Sequence, residues 1–248
     1  MDYQEFLERI NKIEALRYVQ THREGPTGIG KTLEDLLEIK ENNIAGPDFS
    51  NCELKATRKN SSSMITLFTK KFQPDSGKKL IHEYGYKQRK TVTNYKQQTL
   101  TGEEHGTASI PIGDKELHVT VDSLKPNSLG LKLSVGKDRV YIENSKNVEA
   151  YYDFTVLEQA LKKKYNNLIH VMADHKTMQN KEYFWYNEVY FYQDFKFETF
   201  LQLIREGKMK VDIRIGHYPN GNPHDHGTGL RIMPQYLSQC FDSVKRIL

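Results

Sequence analysis

Two carboxylates and a lysine lie close together in the segment 47–55, which reads Pro-Asp-Phe-Ser-Asn-Cys-Glu-Leu-Lys. We expect its second half to run as a strand, in which successive side chains alternate between faces, so that Glu53 and Lys55 share one face. Asp48 follows a turn signal at 45–47 and supplies a second acid nearby. Carboxylate oxygens hold Mg²⁺, and the bound metal stabilises charge on a phosphate and lowers the pKa of a water molecule. The spacing is therefore typical of metal-assisted phosphodiester hydrolysis, in which the lysine orients the water and offsets negative charge.

The pattern of an acid two residues before a lysine is not specific by itself. It occurs five times, at Glu38–Lys40, Glu53–Lys55, Asp174–Lys176, Asp194–Lys196 and Glu206–Lys208. Three of these pairs lie in or beside helical patterns, where a two-residue step points the side chains apart. The pair at 174–176 is the alternative to 53–55, because it ends an apolar run. No upstream acid offers itself as its partner, whereas Asp48 is available to Glu53.

Positive charge is concentrated directly after the candidate strand, although the whole chain carries a net charge of only +4. Residues 54–90 contain ten lysines and arginines but only two acids. This local excess suits a phosphate backbone, and a solvated basic loop is the alternative interpretation. The cations that we expect at a DNA backbone are Arg58, Lys59, Lys70 and Lys71.

Length and composition favour a globular protein of the cytoplasm. A chain of 248 residues, 27% of them charged, can bury a core as one domain or as two packed lobes. We find no apolar run long enough to span a membrane, and the acidic, polar N-terminus does not resemble a secretory signal. The two cysteines do not form a disulfide framework, which favours a reducing compartment.

Apolar periodicity predicts a mixed α/β arrangement without internal repeats. Helices are expected at 3–19, 27–41, 154–165 and 196–206. Strands are expected at 50–57, 63–70, 116–121, 129–135, 139–143, 168–173, 183–192 and 210–215. The polar segment 73–113 has few apolar runs and is predicted to be a long loop.

Residues 25–32, Gly-Pro-Thr-Gly-Ile-Gly-Lys-Thr, match the P-loop of nucleotide hydrolases letter for letter. A working P-loop follows a buried apolar strand, but the residues before Gly25 are polar. No later apolar run ends in the Mg²⁺-binding acid that such enzymes need. We therefore expect no nucleotide cofactor, and interpret the glycines as a tight helix start whose N–H groups can face a phosphate.

A second informative stretch lies near the C-terminus. In the segment 210–216, Asp212 and Arg214 alternate with core residues, and a turn signal at 219–223 leads to His-Asp-His-Gly-Thr at 224–228. Arginine pairs with guanine in the major groove and aspartate accepts from cytosine, so the stretch can contact bases. A zinc site at His224 and His226 and an ordinary surface hairpin are the alternatives.

Three stretches of the chain, 27–37, 47–55 and 211–231, resemble the MutH-type nucleases and most closely the MvaI/BcnI group of restriction endonucleases. They lie in the family's order, and the Gly-Ile-Gly-Lys-Thr and His-Asp-His-Gly-Thr sequences are not general nuclease features. The resemblance implies that Glu34 joins Asp48, Glu53 and Lys55 in the catalytic site. The residues that it implies as base contacts are Asp212, Arg214, His224, Asp225, His226 and Arg231.

The resemblance also implies the fold and the mode of action. The fold is expected to be α/β, a restriction-endonuclease-like PD-(D/E)xK mixed sheet flanked by helices, with two lobes around a DNA cleft. A catalytic lobe is expected at about 1–165 and a base-recognition lobe at about 166–248. Members of this group are Mg²⁺-dependent, bind double-stranded DNA as monomers and recognise short, nearly palindromic sites rich in C·G pairs. One active site per monomer implies two successive nicks, and the implied biological partner is a DNA methyltransferase.

Two other functions remain open from the sequence. A MutH-like strand-specific nicking endonuclease of mismatch repair shares the catalytic pattern, but needs partner proteins for activation. A catalytically silent DNA-binding module would keep the basic residues and the arginines near the C-terminus. The presence of all four expected catalytic residues argues against the silent module.

Overall fold

The structure is a computed structural model that describes residues 1–39, 47–49, 51–74, 77–99, 102–218, 220 and 222–248. Parts of the turns predicted at 45–47 and 219–223, together with Lys40 and Ser50, lie outside the described residues. Among the described residues, none of the helices combines the length and the apolar character needed to cross a membrane.

Five α-helices and one 3-10 helix are described. They are α1 (Tyr3–Ala15), α2 (Gly28–Leu36), α3 (Gly77–Tyr84), α4 (Phe154–Lys164), α5 (Phe197–Arg205) and the 3-10 helix Pro234–Cys240. Helix α1 starts where the Asp2 carboxylate accepts a hydrogen bond from the Glu5 N–H at 2.8 Å. It stops short of the predicted residue 19, because Arg17 adopts a left-handed conformation with φ 61°.

Fourteen strands, which form three sheets, are present in the described part of the chain. They are β1 (Val19–Gln20), β2 (Cys52–Arg58), β3 (Ile65–Thr69), β4 (Tyr86–Thr99), β5 (Gly102–Val121), β6 (Lys132–Val135), β7 (Arg139–Glu143), β8 (Val148–Asp153), β9 (Asn167–Met178), β10 (Lys181–Phe195), β11 (Met209–His217), β12 (Pro223–Asp225), β13 (Gly229–Ile232) and β14 (Phe241–Arg246). The predicted strand at 139–143 is confirmed with its bounds, and the other predicted strands are confirmed with shifted ends.

The chain divides into two compact units that are each built from separate segments. Unit 1 comprises Met1–Ile65, Asp153–Leu203 and Ile232–Leu248, and unit 2 comprises Thr66–Tyr152 and Ile204–Arg231. This division differs from the predicted one, which had a single boundary between residues 165 and 166. The assignment of a catalytic lobe and a recognition lobe remains a prediction.

Unit 1 contains a five-stranded mixed sheet. Its order is β1-β10-β9-β2, and β14 pairs with β10 beside β1. Strands β2 and β9 are parallel, while β10 is antiparallel to each of its neighbours. The core lies between this sheet and the apolar faces of α1 and α2, and includes Phe6, Leu33, Leu54 and Ile169. The predicted mixed α/β sheet is confirmed.

Unit 2 contains a six-stranded sheet with the order β3-β13-β11-β5-β4, in which β12 also pairs with β11, and a three-stranded sheet with the order β6-β7-β8. The prediction of a long loop at 73–113 is wrong, because this segment contains α3, all of β4 and much of the antiparallel partner strand β5. Its polar composition lacks the apolar alternation by which a half-buried strand is recognised in a sequence. Backbone pairing between β4 and β5 forms a two-stranded antiparallel ribbon although the sequence lacks that alternation.

Helix α2 begins where the chain passes very close to itself, and two of its glycines provide a matched test. A Cβ atom at Gly28 would lie 2.2 Å from the Arg23 carbonyl oxygen and 2.7 Å from Thr21 Oγ1, whereas nothing lies within 4 Å of one at Gly30. We expect Gly28→Ala to lower the free energy of unfolding by about 1–3 kcal/mol through overpacking. Gly30→Ala should raise it by about 0.5–1 kcal/mol, because alanine loses less backbone entropy in a helix. Chemical denaturation measures both, and equal effects would contradict the close approach at Gly28.

Candidate active site

Strand β2 places the predicted acid and lysine on one face. Cys52 and Leu54 belong to the core cluster of unit 1, so the residues between and after them face away from that core. Lys55 Nζ forms an ion pair with Glu53 Oε1, which confirms that the two side chains share a face. The alternation expected from the sequence therefore determines the local geometry.

Asp48 is brought back to β2 by a tight backbone loop. Phe49 and Cys52 form an isolated β-bridge, in which the Cys52 N–H donates to the Phe49 carbonyl at 2.8 Å. Phe49 is buried and stacks on Phe6, with ring centroids 5.4 Å apart, which fixes the loop to the core. Asp48 Oδ2 then accepts a hydrogen bond from the Leu54 N–H at 2.8 Å, while the residue itself is exposed. Its carboxylate is thus positioned next to β2 and remains accessible to solvent.

The Glu53 carboxylate is the most unusual group of this site. The residue is only 1% exposed, and its Oε1 is paired with Lys55 and lies 3.1 Å from Lys164 Nζ. The other oxygen, Oε2, is buried and has no hydrogen-bond partner among the described residues. Burial raises the pKa of Glu53 and Asp48 adds to this, whereas Lys55 and Lys164 oppose it. An acceptor that has lost water without gaining a protein partner is costly, and a cation would satisfy it.

Glu34 lies on α2, which packs beside β2. Its half-buried side chain lines a cavity of about 320 Å³ together with Leu54, Lys55 and residues from the start of the helix. The structure therefore places two of the four predicted catalytic residues, Glu34 and Lys55, on one cavity. Glu53 is adjacent to this cavity on β2, between Cys52 and the lining residue Leu54, and Asp48 is hydrogen-bonded to the Leu54 N–H.

Lys164 and Tyr165 belong to this site but were not expected from the sequence. Lys164 ends α4, and Tyr165 directly after it is completely buried. Burial raises the pKa of Tyr165 well above its usual range, and the carboxylates of Glu53 and Asp48 raise it further. A signal existed in the sequence, because Lys164 follows Leu157 and Leu161 at helical spacing on the buried stripe of α4.

The donor set fits a hard divalent cation better than zinc. No group of three or more histidine, cysteine, aspartate or glutamate side chains that could hold a metal occurs among the described residues. Mg²⁺ is commonly bound by only one or two carboxylates, with water and substrate phosphate completing its coordination. Asp48 and the bare Oε2 of Glu53 match that requirement. The alternative of a zinc site at His224 and His226 gains no third ligand in the part of the chain that is described.

The rival acid–lysine pairs are occupied by structural contacts. Asp174 accepts a hydrogen bond from Asn187 Nδ2 at 2.7 Å, and Lys176 Nζ lies 3.9 Å from the centre of the Tyr18 ring. Glu38 pairs with Arg9 at 2.6 Å. The remaining pairs, at 194–196 and 206–208, flank α5 at its two ends. The expectation that the two side chains point apart is wrong for the second pair, because Lys208 Nζ lies 2.6 Å from Glu206 Oε2.

The four cations expected at a DNA backbone differ in their ion-pair partners and exposure. Arg58 makes two hydrogen bonds to the Glu182 carboxylate, at 2.5 and 2.6 Å, and Lys59 pairs with Glu188 at 3.0 Å. Lys70 and Lys71 are exposed and line a cavity of about 440 Å³ in unit 2. The structure therefore gives Arg58 and Lys59 partners within unit 1, and phosphate contact by any of the four remains a prediction.

Two neighbouring lysines of α3 differ in the same way. Both are exposed, but Lys79 pairs at 2.6 Å with the buried carboxylate of Glu149. Asn144 donates a hydrogen bond to the same carboxylate at 2.8 Å. Lys79 consequently stabilises unit 2, which distinguishes it from its neighbour.

The predicted base contacts of unit 2 are organised around one acid. Asp212 Oδ2 accepts a hydrogen bond from Arg231 Nη1 at 2.8 Å, and Arg214 Nε lies 3.5 Å from the same oxygen. Asp212 Oδ1 accepts from the Thr120 hydroxyl at 3.2 Å. The sheet order places β13, β11 and β5 side by side, and so brings these residues together.

The predicted base contacts on β12 and directly after it, His224, Asp225 and His226, have more varied environments. Asp225 Oδ1 accepts from the N–H groups of Gly227 and Thr228, at 2.8 and 2.6 Å, so this side chain stabilises the turn before β13. The rings of His224 and His226 pack edge to face with centroids 4.5 Å apart. A Cβ at Gly216 would lie 2.5 Å from His226 Nε2, so the imidazole lies directly against β11 at this glycine.

The P-loop interpretation gains no support from the structure. The strand before the motif, β1, has only two residues. Lys31 pairs with Asp35 at 2.8 Å, and Thr32 Oγ1 accepts a hydrogen bond from the His22 N–H at 2.9 Å. The two side chains that a P-loop uses for phosphate and Mg²⁺ are thus engaged within the protein.

The raised pKa of Glu53 predicts a pH dependence of stability in the metal-free protein. Because the folded state holds this proton more tightly than the unfolded state, stability falls as pH rises from the ordinary value of 4.5 through the folded pKa. We expect wild type, measured in EDTA, to lose free energy of unfolding relative to Glu53→Gln over that interval. Urea denaturation at a series of pH values tests this. A difference that grows in favour of wild type with increasing pH would contradict the assignment.

Known proteins resemble this chain over nearly its whole length. The sequence profile of the MvaI/BcnI restriction endonuclease family matches residues 7–241. Among solved structures, the complex of restriction endonuclease MvaI with its cognate DNA substrate is 29% identical, with 100% of both chains covered and a TM-score of 0.78. The same enzyme in the absence of DNA is also 29% identical, with 100% of this chain and 99% of that chain covered and a TM-score of 0.56. No curated protein matches.

The profile extends over nearly the whole chain, and all three of the stretches named above lie inside the matched range. The expected family and the expected restriction-endonuclease-like fold are therefore confirmed. This protein belongs to the MvaI/BcnI restriction endonuclease family and is a type II site-specific nuclease.

Proposed function

We propose that this restriction endonuclease cleaves double-stranded DNA with Mg²⁺ held by Asp48 and Glu53. The observation that carries the proposal is the buried Glu53 Oε2, which has no hydrogen-bond partner among the described residues and lies beside a second acid and a lysine. When bound, the metal would stabilise charge on the scissile phosphate and lower the pKa of a water molecule. Family membership supports a divalent metal in general, and the oxygen-only donor set favours magnesium.

The protein groups of this site have separate tasks. Asp48 is held by the Leu54 N–H, so its carboxylate is pre-oriented before any ligand arrives. Lys55 is paired with Glu53 and lines the same cavity as Glu34, where its ammonium group can orient the attacking water and offset charge on the phosphate. Glu34 faces that cavity from α2 and completes the set of four catalytic residues.

Base recognition is proposed for unit 2, through the residues gathered around Asp212. This acid fixes the guanidinium group of Arg231 and lies within ion-pair distance of Arg214. A pre-oriented arginine can donate two hydrogen bonds to guanine, which suits a short, nearly palindromic site rich in C·G pairs. The similarity to MvaI, solved with its cognate DNA substrate, supports DNA as the partner.

We further propose that the enzyme acts as a monomer that nicks the two strands in succession. The described residues contain one set of Asp48, Glu53 and Lys55, so one protomer hydrolyses one bond at a time. A nearly palindromic site allows the same protomer to rebind in the opposite orientation. A DNA methyltransferase that protects the host's own sites is the implied biological partner.

Removing the metal ligands should abolish cleavage without abolishing DNA binding. Metal and ammonium groups contribute several kcal/mol to the transition state, and each 1.36 kcal/mol is a factor of ten, so we expect losses on the order of 10³-fold or more. This applies to the metal-ligand variants Asp48→Asn and Glu53→Gln, and also to Lys55→Met, which removes the ammonium group. Asp174→Asn is the matched control and should cleave normally. Plasmid digestion and gel-shift binding measure the two properties, and an inactive Asp174 variant beside active Asp48 and Glu53 variants would mean that the wrong acids were chosen.

Plasmid cleavage should pass through an open-circular intermediate. A monomer with one active site releases nicked DNA before the second strand is cut, and the initial rate should rise linearly with enzyme concentration. Time courses on supercoiled plasmid test this with the purified chain alone. Linear product without a nicked form, at a rate that rises with the square of enzyme concentration, would indicate a dimer. A nick that is never followed by a second cut would favour the MutH-like function.

Affinity and specificity should be separable by substitution. Lys71→Ala should weaken binding to every DNA alike and reduce its salt dependence, because phosphate contacts release counterions without discriminating between bases. Arg231→Ala should instead erode discrimination at one base pair by roughly 1–3 kcal/mol. Lys79→Ala is the control for charge removal, and we expect it mainly to destabilise unit 2 through Glu149. Competition binding at several salt concentrations decides this, and a uniform loss with Arg231→Ala would leave that arginine as a backbone contact only.

A further inference from the structure

Helix α4 ends in three consecutive lysines, of which one faces the catalytic strand. Lys162 is exposed and pairs with Glu158 at 2.7 Å, and Lys163 is exposed as well. Lys164 lies on the stripe of the helix that buries Leu157 and Leu161, and its side chain is 32% exposed. The packing of α4 therefore directs this single ammonium group inward.

The end of α4 is fixed in place by the next residue. Tyr165 is fully buried, and its N–H donates to the Leu161 carbonyl oxygen at 2.7 Å. Its ring lies 6.1 Å from that of Phe195 on β10, which ties the helix end to the sheet. These buried contacts hold the backbone at the end of α4, and they therefore set the point from which the Lys164 side chain reaches Glu53.

Both ammonium groups at Glu53 converge on the same oxygen. Lys164 Nζ lies 3.1 Å from Oε1, which is also the oxygen paired with Lys55. Oε2 is left buried, without a hydrogen-bond partner among the described residues. A lysine that merely took the place of the metal would occupy the bare oxygen. The observed arrangement instead fixes the rotation of the carboxylate, so that one oxygen is held and the other is presented.

We propose that Lys164 is a positioning residue of the metal site, which holds Glu53 Oε1 so that Oε2 is presented to the divalent cation. This inference rests on the proposed role of Glu53 as a metal ligand. Groups that bind and orient a metal ligand from behind typically change metal affinity or activity by 10- to 100-fold when they are replaced. The ammonium group also compensates the buried negative charge while no metal is bound.

The test compares Lys164→Met with Lys164→Arg and with the matched control Lys163→Met. We expect Lys164→Met to raise the half-saturating Mg²⁺ concentration by roughly 10- to 100-fold, both in the Mg²⁺-induced increase of Tm and in cleavage. The cleavage rate at saturating Mg²⁺ should approach that of wild type, because the lysine acts on the ligand and not on the phosphate. Lys164→Arg should restore most of the metal affinity, and Lys163→Met should behave as wild type.

Three results would overturn the proposal. They are an unchanged Mg²⁺ titration in Lys164→Met, a tighter one, and cleavage that stays low at saturating Mg²⁺ while metal binding is normal. The tighter titration would identify Lys164 as a competitor of the metal, and the low rate would assign it to the substrate. If Lys164→Met does not fold, Lys164→Gln replaces it in the same titrations and the same outcomes apply.

A Glu53→Gln arm separates this inference from the proposed function. If Mg²⁺ raises Tm equally in wild type and Glu53→Gln, the carboxylate is not a ligand and the proposed metal site fails. If the response requires Glu53 but is indifferent to Lys164, the metal site stands and only the positioning role is wrong.

Discussion

A carboxylate that is almost completely removed from water constrains the arrangement of unit 1. Glu53 cannot turn away from its position, because the neighbouring residues Cys52 and Leu54 are part of the core and strand alternation fixes the opposite face for the acid. Burying an uncompensated charge would cost several kcal/mol. Two ammonium groups, from β2 itself and from α4, reduce that cost at one oxygen. The other oxygen has no hydrogen-bond partner among the described residues, and it is the atom that we propose as a ligand of the divalent cation.

In unit 2 the charged side chains gather around Asp212, whose role differs from that of Glu53. Asp212 is bonded by Arg231 and by the Thr120 hydroxyl, so its carboxylate is already satisfied by the protein. Its effect is to orient guanidinium groups, whereas Glu53 keeps an acceptor for a ligand. An acid can therefore either fix cations in a defined direction or retain a place for one. The hydrogen-bond partners decide between these two uses.

The letter-perfect P-loop sequence shows how far a motif depends on its surroundings. A P-loop requires a buried strand before it and free side chains to meet phosphate and metal. Here the preceding strand has two residues, and the motif's lysine and second threonine are occupied by Asp35 and His22. The glycine at position 28 is needed for a different reason, since the chain at 21–23 passes too close for a side chain. The same residues thus begin the helix that carries Glu34.

The sequence by itself determined local relationships, which are those between residues near one another in the chain. Strand alternation predicted the shared face of Glu53 and Lys55, and helical periodicity predicted α4 to within one residue of its observed end. The tertiary structure alone decided which charges meet, because the pairing of Lys164 with Glu53 depends on the packing of α4 beside a strand far away in sequence. It also decided the ribbon of β4 and β5, whose polar residues carry no apolar period and whose backbone pairing connects distant positions. Local periodicity reports which face of an element is buried, but not what that face will contact.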